Sequence, residues 1–463
     1  MAKQLSGKRV GMDLTQGSIL RNLILFSIPI VLADALQQMY SLVDLLIIGR
    51  FVGDSGTVGV SVGGELIDLL TPVATAFSSA GQIYMAQLVG AKDEEKIKKT
   101  IGTLLSFMMV FAVGLAAASI VLREQILMLL NCPEEAHMQA ISYMTITALG
   151  VPFIFGYNAI SSILRAMGES KRPLMFVAIA ATVNIFADIL LVVVFRMEAA
   201  GTAIATVLSQ FGSFAAAFVC LYRNREKFGI EFTPAFFRID KKSFFVIIKL
   251  GIPQLTRILF VRFSMLWVNS NINSYGLVVS STNAIGNKFQ KLCEIFIQSL
   301  VGAEGAILGQ NLGAKNYKRA EKTVWCSMGF AAVYVVIVAL IYLLLPKQIY
   351  GLFTDDPQVI ELGVIYLQIM IVHLAATAFN GPFRSMVNSC GFVTLSMALG
   401  ILDGVVFKVG FGILFGKILE MGALGYFWAT GVSRVIPAFI CFLYFMSGRW
   451  RKRALLSERK RKK

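Results

Sequence analysis

The sequence predicts an all-α polytopic membrane protein of twelve transmembrane helices in two pseudo-symmetric six-helix lobes, and three observations predict it. Hydrophobic residues make up 56% of the 463 and charged residues 15%, whereas a soluble domain carries about a quarter charged residues. Apolar stretches of roughly 20 residues or more recur along the whole chain, each long enough as a helix to cross about 30 Å of hydrocarbon. The two halves also repeat one another at a nearly constant spacing.

The apolar stretches place the first six helices over 20–48, 58–88, 98–122, 136–164, 173–195 and 199–222. The second six fall over 244–273, 277–309, 320–345, 358–388, 393–416 and 422–447. Helices are required because lipid cannot satisfy the open edge of a sheet. The implied organisation is an N-terminal lobe over 1–222, a cytoplasmic inter-lobe loop over 223–243, a C-terminal lobe over 244–448 and a basic cytoplasmic tail over 449–463.

The net charge of +16 raises the question of nucleic acid, and the placement of the charge answers it. With both termini inside, the inner loops and ends hold Lys3, Lys8, Arg9, Lys92, Lys96, Lys98, Lys99, Arg223, Arg225, Lys227, Lys241, Lys242, Lys315, Lys318 and Arg319. The outer loops hold only Arg50, Arg123, Arg196, Lys347 and Lys417. This is the asymmetry of a positive-inside topology in a plasma (inner) membrane, so lipid is expected as a partner and nucleic acid is not. The tail contributes Arg451, Lys452, Arg453, Arg459, Lys460, Arg461 and Lys462 to the same side.

Six cysteines lie without CxxC pairing or a disulfide-framework spacing, and the histidines are His137 and His373 alone. No phosphate-cradling Gly-Lys-Ser/Thr loop is present. A histidine-rich metal site, a bound cofactor and intrinsic ATP hydrolysis are therefore not expected, and no nucleophile, base and metal constellation suggests an enzyme.

Self-similarity locates the duplication. Ser27-Ile28-Pro29 returns as Gly251-Ile252-Pro253, and Gly90-Ala91-Lys92 returns as Gly313-Ala314-Lys315. Pro133 pairs with Pro357, Tyr143 with Tyr366, Gly168 with Gly391, Gly201 with Gly425, and Thr206 with Thr430. An even number of crossings per half gives both halves the same orientation, the arrangement of parallel repeats that rock about a shared cavity near the midplane. Pro29 and Pro253, inside the first helix of each half, remove a hydrogen bond and kink the chain there.

Ionisable groups within spans cost at least about 2.5 kcal/mol each at a helix centre and so need a purpose. Helix 1 aligns Gln37, Tyr40 and Asp44 on one face. Helix 5 carries Asn184 and Asp188 one turn apart, and helix 6 offers Thr206. Two carboxylates, an amide oxygen and a hydroxyl form a hard-oxygen set suited to Na+ or to a proton shared between carboxyls. Asp34, Glu65 and Asp68 are weaker candidates, placed for inter-helix contacts or near an interface.

With Ile28-Pro29, Gln37, Leu42-Val43-Asp44, the stretch Gln87 to Lys92 with its twin Gln310 to Lys315, and Asn184 with Asp188, the chain resembles the multidrug and toxic compound extrusion (MATE) transporters over nearly all of its length. The Asn184 and Asp188 pair is similar to the DinF-like prokaryotic branch in particular. The resemblance implies a V-shaped pair of lobes and cation-coupled drug export. It assigns Asp44, Asn184, Asp188 and Thr206 to a cation or proton site, and Gln37, Tyr40 and, more loosely, Tyr143 to a substrate pocket.

The second half departs from that pattern. At an offset of 224, Asp44 corresponds to Val268, Asn184 to Lys408 and Asp188 to Gly412. Its spans instead carry Arg257, Arg262, Lys288, Lys291, Lys408 and Arg434, with Glu294, Glu304 and Asp403 as candidate partners. Either these form a salt-bridge network, with Lys291 pairing to Glu294 one turn away, or residues such as Arg257 and Lys288 receive an anionic or zwitterionic substrate. The expected activity is export of small organic compounds by antiport with H+ or Na+ through alternating access, by a monomer. A lipid-linked precursor flippase of the wider superfamily is the alternative.

Overall fold

The computed structural model describes residues 11–453 together with Leu456 and Glu458. Lys3, Lys8 and Arg9, and the tail's Arg459, Lys460, Arg461 and Lys462, lie outside the described residues. Among the described residues, twelve helices are long and apolar enough to cross a membrane, and no strand occurs. In chain order they are α1 (Ile19–Phe51), α2 (Gly53–Ala91), α3 (Glu94–Val121), α4 (Glu134–Ala166), α5 (Lys171–Val194) and α6 (Glu198–Arg223). They continue as α7 (Lys241–Asn273), α8 (Leu277–Gly313), α9 (Tyr317–Leu344), α10 (Pro357–Ser389), α11 (Thr394–Ile418) and α12 (Gly422–Met446). Each falls on one predicted span. Two short helices, Arg123–Leu129 and Pro346–Gly351, go beyond the prediction; both lie between spans, where no bilayer-length apolar run marks them.

The chain divides into two compact units whose border falls inside helices. Unit 1 holds Ile28–Gly251, and unit 2 holds Leu14–Ser27 with the chain from Ile252 onward. Both borders lie one or two residues before the helix-internal prolines Pro29 and Pro253.

In unit 1, α4 is the central helix, packed on α2, α3 and α6. Its buried face reads Tyr143, Thr147, Val151, Ile154 and Phe155, so the lobe closes round an apolar column at helical spacing. The inter-lobe loop is tied to α3: Asp240 donates its backbone N–H to Thr103 Oγ1 at 2.9 Å, and Ser106 donates its hydroxyl to the Phe237 carbonyl at 2.7 Å. Asp240 then caps α7 by accepting the Ser243 N–H at 2.8 Å, as an N-cap carboxylate does.

In unit 2, α10 takes the same central place, packed on α8, α9 and α12. The segment before α1 is held by α8 and α9. Arg319 donates to the carbonyls of Gly17 and Gln16, both at 2.7 Å, and Asn311 donates to the Leu14 carbonyl at 3.1 Å.

The duplication extends to backbone detail. Lys92 and Lys315 end α2 and α8 in the left-handed conformation, at φ 56 and 58°. The next residue caps the next helix in both copies, Asp93 accepting from Lys96 N–H at 3.2 Å and Asn316 from Arg319 N–H at 3.4 Å. The repeated Gly201 and Gly425 each bring two helices into backbone contact. A Cβ on Gly201 would stand 3.2 Å from the Leu191 backbone, and one on Gly425 would stand 2.5 Å from that of Phe415. Those contacts fix α6 on α5 and α12 on α11, which position the two sites described next.

Candidate functional site

Asn184 and Asp188 lie one turn apart on α5 and are 2% and 1% exposed. Immediately after Asp188 the helix widens into a π-helical stretch, Ile189–Val194, a form that re-aims side chains and recurs at functional sites. Asp44 arrives from α1, and its carboxyl is the electrostatic neighbour of the Asp188 carboxyl. Asp44 Oδ1, Asn184 Oδ1 and both Asp188 oxygens are buried without any conventional hydrogen-bond donor. Four acceptor atoms turned inward with no donor are costly, and two carboxyls meet favourably only with a proton or cation between them.

Thr206 and Tyr143 complete this cluster. Tyr143 has Thr206, Asp44 and Asp188 as its electrostatic neighbours. One turn back along α1, Tyr40 has Gln37, Gln210 of α6, Tyr157 and Asp44 as its polar neighbours. The structure therefore gathers Asp44, Asn184, Asp188, Thr206 and Tyr143 in unit 1, with Gln37 and Tyr40 adjoining. Gln210 and Tyr157 were not singled out from sequence, although Gln210 lies one turn after Thr206 on the same helix. Glu65 and Asp68 are exposed.

Unit 2 holds a polar network centred on Glu294. Its Oε1 accepts from Arg434 Nη1 at 3.1 Å and from Gln290 Nε2 at 3.3 Å, and meets His373 Nε2 at 2.9 Å. Arg434 also donates to Thr377 Oγ1 at 2.7 Å and pairs through Nε with Asp403 Oδ2 at 3.5 Å. The far nitrogen of His373 meets the Thr430 carbonyl at 2.8 Å. The expected network thus exists, but with different members. Lys291 does not pair with Glu294; Arg262, Lys288 and Lys291 are exposed rather than buried, because their positions on α7 and α8 face away from the packed side of the lobe. Arg257 is half-buried against Gly400, with its Nε lacking a partner. Among substrate candidates, Lys288 is exposed and Arg257 lines the edge of the basic group.

His373 is the member sequence reasoning missed, as a lone histidine carries no pattern. The α8 residues had one: Asn283, Asn287, Gln290 and Glu294 recur at three- and four-residue steps, a polar stripe along one face.

A duplicated six-helix unit that spans the membrane, with an inward-facing carboxyl pair in one copy, has the layout of a secondary transporter. The MatE family model matches residues 29–190 and again 253–414, the two matches displaced by the same 224 residues that separate Pro29 from Pro253; the chain belongs to the multidrug and toxic compound extrusion family. It is 30% identical over 452 residues to the probable multidrug resistance protein YpnP of Bacillus subtilis (strain 168), covering 96% of this chain and 99% of that one. It is 22% identical over 432 residues to the multidrug export protein MepA of Staphylococcus haemolyticus (strain JCSC1435), covering 93% and 94%. A solved structure described as the outward-facing conformation of a multidrug resistance MATE family transporter shares the fold. It matches with a TM-score of 0.89 at 20% identity, over 96% of this chain and 99% of that one.

Proposed function

We propose that the protein exports small organic compounds across the inner membrane by antiport, with H+ or Na+ taken up at Asp44, Asn184, Asp188 and Thr206. The observation that carries this reading is the meeting of the Asp44 and Asp188 carboxyls, buried with no donor turned towards them. A proton shared between the carboxyls, or a sodium ion held by them with the Asn184 amide oxygen and the Thr206 hydroxyl, relieves that repulsion. Removal of the ion restores it. The ion thereby favours one packing of unit 1 over another, and a ligand shifts a conformational equilibrium only through such a difference.

Gln37, Tyr40 and Tyr143 adjoin the carboxyl pair, so substrate held there senses its charge state. Productive substrate binding and ion binding then exclude one another, which is what antiport by alternating access requires. Arg257 and Lys288 supply cationic contacts for acidic parts of a substrate in unit 2. Both termini are cytoplasmic in this reading, in keeping with the basic inner loops, and the working unit is a monomer.

The test is drug accumulation in cells producing Asp44→Asn, Asp188→Asn or the unaltered chain at matched membrane levels. Loss of export in both variants supports the site, and export at the unaltered rate by Asp188→Asn removes it.

A further inference from the structure

Glu304 of α8 is a buried carboxyl that neither the Asp44 and Asp188 pair nor the Glu294 network uses. It lies inside the span Leu277–Gly313. It is 0% exposed, and both of its oxygens lack a hydrogen-bond partner.

The duplication shows what the fold places at this position in its other copy. Lys92 and Lys315 set a spacing of 223 across these helices, at which Glu304 corresponds to Gly81 and Ser327 to Leu104. In unit 1 the leucine of α3 fills the space over the glycine of α2: a Cβ on Gly81 would stand 2.6 Å from Leu104 Cδ2. In unit 2 the sizes are exchanged. Glu304 is the large member, and Ser327 of α9, also 0% exposed, is its polar neighbour. A dry packing contact in one copy is thus a carboxyl facing a hydroxyl in the other, and the Ser327 Oγ has no further partner. Unit 1 closes this contact with glycine and leucine, so packing alone does not call for a carboxyl here.

Nothing around Glu304 offsets a negative charge. From α9, the titratable neighbour is Cys326. From α10, Ser385 lies beside Gly305, its Oγ 3.7 Å from where a Cβ would stand. Arg384, also on α10, has Arg434, Cys441, Asp403 and Glu294 as its neighbours instead. No ion pair reaches Glu304 among the described residues. A carboxylate so placed would bear its full desolvation cost, and a buried acid escapes that cost by holding a proton. A metal ion fits less well, since hard cations take about six or more oxygen ligands, whereas Glu304 and Ser327 offer a carboxyl and one hydroxyl.

We propose that Glu304 is a proton-binding site of unit 2, separate from the Asp44 and Asp188 pair, which holds a proton against Ser327 and exchanges it with water when the lobe opens. The site takes its purpose from the export reading: each unit then carries its own protonatable group. Its occupancy does not depend on that reading, because a bound proton is observable without any gradient or substrate.

Infrared spectra of the purified full chain at neutral pH provide the test, since a protonated carboxyl has a C=O band that a carboxylate lacks. Glu304→Gln is expected to remove one such band, and Asp188→Asn to leave that band in place. Transfer of the unaltered protein to D2O is expected to shift the band downward as O–H becomes O–D. A spectrum unchanged by Glu304→Gln, or a band that never shifts in D2O, overturns the proposal. If Glu304→Gln does not fold, the double exchange Glu304→Gly with Ser327→Leu serves instead. It rebuilds the unit 1 contact, and the same loss of the band is expected. Gradient-driven export can fail in the unaltered protein without altering these spectra, so the two readings fail separately.

Discussion

The carboxyl groups of Asp44 and Asp188 are electrostatic neighbours, although one comes from α1 and the other from α5 and no donor side chain is turned to either Asp188 oxygen. Such a contact is a defect in a purely structural core and an asset in a site that loads and unloads a cation. Substitution separates the two. Asp188→Asn converts a carboxyl pair into an amide donating to a carboxylate, a hydrogen bond that needs no captured ion. The variant is expected to unfold at the same temperature as the unaltered protein or higher, by up to about 1 kcal/mol of added stability, while export is lost. A fall in stability together with export would mark the pair as structural.

Glu294 should behave in the opposite way. It accepts from Arg434 and Gln290 and meets His373, so Glu294→Gln leaves the Arg434 guanidinium poorly compensated. Breaking one side of a buried ion pair costs about 3–5 kcal/mol. Thermal unfolding in detergent is expected to show that loss, and an unchanged midpoint would show that the network contributes nothing to the lobe.

Arg319 holds the segment before α1 through the carbonyls of Gly17 and Gln16. Charge-assisted bonds contribute about 1.5–3 kcal/mol when buried, and these are partly solvated, so Arg319→Ala is expected to cost about 2 kcal/mol. Faster protease cleavage around Gly17 in the variant is the direct readout; an unchanged cleavage rate would contradict it.

Two helical glycines in unit 2 make a controlled comparison. A Cβ at Gly425 would sit 2.5 Å from the Phe415 backbone, whereas one at Gly305 would meet only Ser385 Oγ at 3.7 Å. Gly425→Ala is expected to destabilise by about 1–3 kcal/mol through overpacking. Gly305→Ala should be neutral or stabilising by up to about 1 kcal/mol, through helix propensity. Equal midpoints for the two variants would show that α12 is not pinned to α11 at this contact.

The twelve spans were legible because bilayer thickness imposes one length on every apolar run, and the duplication was legible because glycines and prolines keep positions that backbone geometry dictates. Lys92 and Lys315 show why: each follows Gly-Ala at a left-handed helix end, a geometry the sequence repeats along with the residues. Asp44, Asn184, Asp188 and Thr206 stood out from sequence because polar groups in a span are few. The Glu294 network was legible only in outline. Its pairing partners come from α10 and α12, at sequence distances where helix periodicity says nothing, and so Lys291 looked the nearer partner while Arg434 and His373 are the actual ones.

Substrate efflux from proteoliposomes under separately imposed proton and sodium gradients, for the unaltered chain and Asp188→Asn, tests the central claim most directly. The account predicts that at least one of the two gradients drives export by the unaltered chain and that neither drives it in Asp188→Asn. Gradient-driven export by Asp188→Asn at the unaltered rate would contradict it.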